Sequence, residues 1–119
     1  MFFVFVVAFL LTLAVHEYSH ALVGTVLGDP TAKRDGRLTL NPFAHVDILG
    51  FLTLISIGFG WGKPVPFNPY NLKYPRWGPA FVAGAGPLSN LLFGLICGFL
   101  SRSLVVVLGP QNLLVQFLV

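Results

Sequence analysis

A chain of 119 residues that is 55% hydrophobic and 9% charged, with a mean hydropathy of +0.83, departs from soluble domains, which carry roughly 25% charged residues, and reads as a membrane protein. Seven basic against four acidic residues give a net charge of +3, and six of the seven lie between Lys33 and Arg76, in polar stretches between oily segments. That distribution follows the rule that Lys and Arg collect in cytoplasmic loops; it is not the basic reading face of a nucleic-acid binder, and the single cysteine, Cys97, excludes an internal disulfide framework.

Met1 to about Leu27 is long enough for a bilayer span, which needs about 20 residues. It lacks the basic start and small-residue cleavage pattern of a signal peptide, so it reads as a retained helix, ended by Gly28-Asp29-Pro30. Thr31 to Asp47 is the most polar region, and the alternation in "GRLTLNP" predicts a short strand or hairpin at the membrane surface. Ile48 to Phe59 is uncharged but short, a length suited to a re-entrant or partly buried segment. In "GFGWGKPVPFNPYNLKYPRWGP" repeated prolines exclude helix and central strand. This is an ordered loop whose Trp61, Tyr70, Tyr74 and Trp77 suit an interface belt. Ala80 to Leu100 is a second span; the small residues of "AGAGPLSN" permit close helix packing, Pro87 predicts a kink, and Cys97 is expected to be buried. After Ser101-Arg102-Ser103, Leu104 to Val119 is again oily and the sequence stops within that run. No repeat or linker divides the chain. Residues 1–119 form one membrane-embedded domain of an all-α class, a bundle of transmembrane helices with a small surface β element, read as the N-terminal part of a longer domain.

The chemistry concentrates in "LAVHEYSHALVG". His16 and His20 stand at i and i+4 of a helix, so both imidazoles project from one face. With Glu17 between them they make the HExxH arrangement, two zinc ligands and a general base. Zinc on three protein ligands lowers the pKa of its water to about 7; Glu17 is placed to take a proton from that water and later hand it to a leaving amine. A five-residue pattern is weak by itself. The oily context strengthens it, because a charged group at the bilayer centre costs at least ~2.5 kcal/mol and a metal supplies the missing partner. A third ligand is required, and the candidates within the chain are His45 and Asp47 of "LNPFAHVD". For Asp47 a helix-capping role competes, and for His45 an interfacial hydrogen bond.

Beyond HEYSH, the stretches "LGDPTAKRDGRLTLNPFAHVDILG", "GFGWGKPVPFNP" and "AGPLSN" stand in an order and spacing that resembles the site-2 protease family of intramembrane zinc metalloproteases, in its compact bacterial-type branch. The resemblance covers most of residues 10 to 95. It implies one zinc ion held by His16 and His20, Glu17 as catalytic base, and an active site near the cytosolic face of a bacterial-type cytoplasmic membrane. It further implies a substrate that is itself a transmembrane protein, cleaved in or near its spanning segment. The family takes its third ligand from an Asp in an "NxxPxxPxDG"-like motif on a later helix; no such motif occurs before Val119, so that ligand is expected beyond it. Because helical carbonyls are already bonded, the substrate must be locally extended, and Arg37–Leu40 and Phe59–Phe67 are candidates to pair with it by their edges. Lys33, Arg34 and Arg37 are placed to meet anionic lipid heads. Two other readings compete: a membrane metal-ion transporter, because paired histidines also line ion paths, and a non-catalytic membrane protein that retains the motif.

Overall fold

The computed structural model describes residues 1–109. Helix α1 (Phe2–Val26) forms because the run is oily and free of proline, and it stops where Gly28 takes a positive φ of 106°. Three of its hydroxyls are hidden from the apolar surroundings: Thr12, Ser19 and Thr25 each donate to the carbonyl four residues back at 2.7 Å. A single turn, α2 (Thr31–Arg34), follows. Helix α3 (Ile48–Ile57) begins at Asp47, whose carboxylate accepts from Gly50 N at 2.9 Å, and ends at Gly58 in the left-handed conformation at φ 79°. Helix α4 (Gly78–Leu108) contains Pro87 and runs antiparallel to α1, against which it packs; the cross-contacts His20–Val82 and His16–Asn90 set that direction.

The long connection from α1 to α4 is fastened at three points. Asp29, 1% exposed, accepts from Thr31 N, Thr31 Oγ1 and Asn71 Nδ2 on one oxygen and from Asn68 N at 2.6 Å on the other. Lys73 N donates to the Leu27 carbonyl at 2.7 Å, which brings the chain back beside the end of α1. Arg37 donates to the carbonyls of Lys63 and Pro64, at 2.6 and 3.0 Å, so it fastens the polar loop to the proline-rich one.

Several expectations change here. Among the described residues no strand forms; pairing is limited to one antiparallel bridge, Val46 with Gly62. The alternation of "GRLTLNP" is taken up instead by loop contacts: the Thr39 carbonyl faces the His45 ring and Arg37 is turned inward. Arg37 is 3% exposed and spends its donors on carbonyls and on His45, so it is not a lipid-facing cation. Helix α4 does not stop at Leu100. Ser103 Oγ bonds back to Phe99 O, no glycine or proline intervenes, and the helix continues through Ser101-Arg102-Ser103 to Leu108. Cys97 is exposed on α4 rather than buried. Residues 110–119, the rest of the oily C-terminal run, lie outside the described residues. The full helical bundle reduces, among the described residues, to two helices long and apolar enough to cross a membrane plus the short α3.

Candidate metal centre

The midpoint of α1 and the first half of α4 build the site. On α1, His16 and His20 share a face, with ring centroids 4.7 Å apart and planes at 78°. The His20 ring is fixed by its Nδ1, which lies 2.6 Å from the Val82 carbonyl. A main-chain carbonyl only accepts, so Nδ1 carries the proton and Nε2 keeps its lone pair free. His16 Nδ1 meets the Asn90 amide nitrogen at 2.8 Å. With both Nδ1 atoms engaged by α4, both Nε2 atoms point at one place, the backbone of Gly86. A Cβ built on Gly86 would fall on His16 Nε2 and His20 Nε2 together. The absent side chain leaves a cradle faced by two imidazole nitrogens, and that donor pair fits a borderline-soft cation such as zinc.

Glu17 is buried at 9% exposure. It lines two cavities. One, of about 420 Å³, is shared with His20, Val82, Ala83, Trp61, Gly62 and the segment to Phe67. The other, of about 260 Å³, is shared with His16, Asn90, Thr12, Trp61 and Gly62. Trp61 and Gly62 belong to both walls, and they reach α1 because Gly62 has no side chain: a Cβ there would strike the Leu13 side chain and lie 3.1 Å from the His45 carbonyl. The expected substrate-facing stretch Phe59–Phe67 therefore runs beside the site, with Trp61, Gly62, Pro64, Val65 and Phe67 along the larger cavity. Arg37–Leu40 does not line it.

His45 and Asp47 are placed elsewhere. His45 is fully buried, its Nε2 2.8 Å from the Thr39 carbonyl and its Nδ1 3.2 and 3.4 Å from the Arg37 guanidinium, so both ring nitrogens are occupied. Burial first, then the Arg37 charge, hold its pKa below the usual 6.5, against the opposing pull of the Thr39 hydrogen bond. A neutral ring with Nε2–H donating to Thr39 and Nδ1 accepting from Arg37 satisfies every contact. Asp47 caps α3. Among the described residues no three His, Cys, Asp or Glu side chains gather as a metal-holding group, so neither residue completes a set with His16 and His20. Asn90 and Gly86 were not foreseen as site residues. The available signal was a lone amide in an oily helix, one turn after a glycine.

The chain is 43% identical over 95 residues to a protein of Bacillus subtilis (strain 168) named "Putative zinc metalloprotease YwhC"; the match covers 80% of this chain and 43% of that relative. The chain is thus related to a protein named as a zinc metalloprotease, and it spans less than half of that protein's length. No protein-family profile matches the chain. No solved structure matches it.

Proposed function

We propose that this chain carries the HExxH half of a zinc-dependent intramembrane endopeptidase of the site-2 protease type. The observation that carries the reading is the convergence of both Nε2 atoms on the Gly86 cradle beside the buried carboxyl of Glu17. His16 and His20 would hold the ion, with a further ligand from outside the described residues. Zinc, when bound, supplies Lewis acidity toward water and toward the scissile carbonyl. Glu17 then accepts a proton from the attacking water and returns it to the leaving nitrogen, a role its position at the junction of the two cavities allows. Trp61, Gly62, Val65 and Phe67 lie along the larger cavity, where their main-chain groups would meet a locally unwound substrate strand, while those of Lys63 and the Pro64 carbonyl are already spent on His45 and Arg37.

The membrane setting is part of the proposal. The apolar window of α4 is 0% buried and that of α1 11% buried among the described residues, the reverse of a soluble core helix. Lys33, Arg34, Lys63, Lys73 and Arg76 are exposed on the connection between α1 and α4, which would place that connection and the metal-facing half of α1 toward the cytosol. The substrate would be a transmembrane protein. A transporter finds less support, since α4 contributes to the site one amide and a glycine but no carboxylate.

Glu17→Gln is the decisive variant. Cleavage of a membrane-embedded substrate should fall by about 10²–10⁴-fold, the usual contribution of a positioned acid–base group, with zinc binding retained. Unchanged cleavage, or metal flux in place of cleavage, would overturn the assignment.

A further inference from the structure

Asn90 stands 74 positions from His16 in sequence, on the facing helix, with its amide nitrogen 2.8 Å from His16 Nδ1. Its own oxygen Oδ1 is buried and, among the described residues, has no hydrogen-bond partner. The two histidines are therefore held differently. His20 has a carbonyl on Nδ1 and is fixed in one tautomer. His16 has a primary amide, which offers a donor on one side and an acceptor on the other.

We propose that Asn90 is the positioning residue of His16, an amide that sets which of its ring nitrogens is bare and that turns over when zinc enters. The proposal rests on the zinc-site reading above. In the geometry described, the amide N–H donates to Nδ1, so the His16 proton sits on Nε2, facing the Gly86 cradle. Ligation needs Nε2 bare. The proton must then reside on Nδ1, which becomes a donor and requires an acceptor. Half a turn of the Asn90 side chain brings up the oxygen that is otherwise unpartnered among the described residues. An outer-shell acceptor of this kind fixes the ligand's tautomer and raises its basicity. Leucine would fill the same space without either function, and aspartate would supply only the acceptor. A purely structural amide, joining two apolar helices by a hydrogen bond, makes a different prediction for that pair.

The test uses the full natural chain in detergent and Zn2+ or Co2+ alone as probe. Asn90→Leu should weaken Zn2+ affinity by about 10–100-fold and alter the visible Co2+ absorption, whereas Asn90→Asp should bind as tightly as the parent or tighter. In ¹⁵N-histidine spectra of the parent, the His16 proton should lie on Nε2 without metal and on Nδ1 with Zn2+, while the His20 proton stays on Nδ1 in both. Unchanged affinity in Asn90→Leu overturns the proposal. So does equal loss in the Leu and Asp variants at unchanged metal-free thermal stability, or a His16 proton on Nδ1 in both states. Should the leucine variant fail to fold, the parent spectra decide. Cleavage is not among the readouts, so a protein that binds zinc as described but cuts nothing refutes the protease reading and leaves this one standing. A parent chain that binds no Zn2+ refutes both.

Discussion

His45 and Asp29 show how single buried polar groups hold the connection that carries Trp61 and Gly62 to the site. The fold favours neutral His45, whose pKa lies below the usual 6.5. The unfolded chain thus takes up the proton first on acidification, so this residue's contribution is intact above about pH 6.5 and is lost as pH falls through the lower folded value. A protonated ring would set Nδ1–H against the Arg37 donors. We expect amide exchange at Lys63, whose N–H donates to the His45 carbonyl at 2.7 Å, to speed up between about pH 7 and pH 5 relative to the intrinsic rate. His45→Gln should flatten that dependence; the same slope in the variant would disprove the link. At Asp29 burial raises the pKa, but the Thr31, Asn68 and Asn71 donors outweigh it and the net shift is downward. Asp29→Ala strands several of those donors and should destabilise the chain by about 3 kcal/mol, measured as a loss of unfolding free energy. Hydrogen bonding by His45 stood as an alternative in the sequence, but neither its partners nor those of Asp29 were legible there. The HExxH spacing is read within one helix turn, but Arg37, which braces the His45 ring, is itself fixed by the carbonyls of residues 63–64, and Asp29 is held in part from residues 68–71, and no local pattern announces those partners.

At the scale of elements, the site exists because α4 can lie close against α1, and Gly86 decides that distance. Gly86→Ala puts a methyl on both Nε2 atoms, whereas a Cβ at Gly84, two residues earlier, meets nothing within 4 Å. Zinc affinity should therefore fall at least ~10-fold in Gly86→Ala, and Gly84→Ala should bind zinc normally and gain slightly in helix stability. Equal behaviour of the two variants would show that the cradle does not matter. The long helices were legible from hydropathy because an oily run of that length has few alternatives. Their mutual register was not, since "AGAGPLSN" offers several small residues and only the histidines opposite select Gly86 as the contact. The surface strand failed for a related reason: alternation specifies a face only if a partner strand lies alongside, and here the Thr39 carbonyl is taken by the His45 ring and Arg37 turns inward onto the same ring.

For the molecule as a whole, the exposed apolar surface favours a membrane setting. Large side chains stand uncovered along both long helices, among them Phe3, Leu11, Leu91, Ile96 and Phe99, while the exposed cations other than Arg102 near the end of α4 sit on the connection between the helices. In water such a surface would associate or aggregate; in a bilayer the apolar faces meet lipid and the basic loops meet the headgroups. Cys97 tests this arrangement because it is exposed and lies about five turns into α4, beyond the metal centre from the basic connection. In intact membranes it should resist a charged maleimide and react once detergent replaces lipid. With Cys97 changed to Ser, a cysteine at Lys73 should react with the same reagent in inside-out vesicles and stay unlabelled in intact cells. Ready labelling of Cys97 by the charged reagent in membranes would place α4 at a water-filled surface. Labelling of position 73 from outside intact cells would invert the orientation, and with it the side of the membrane on which the proposed cleavage would take place.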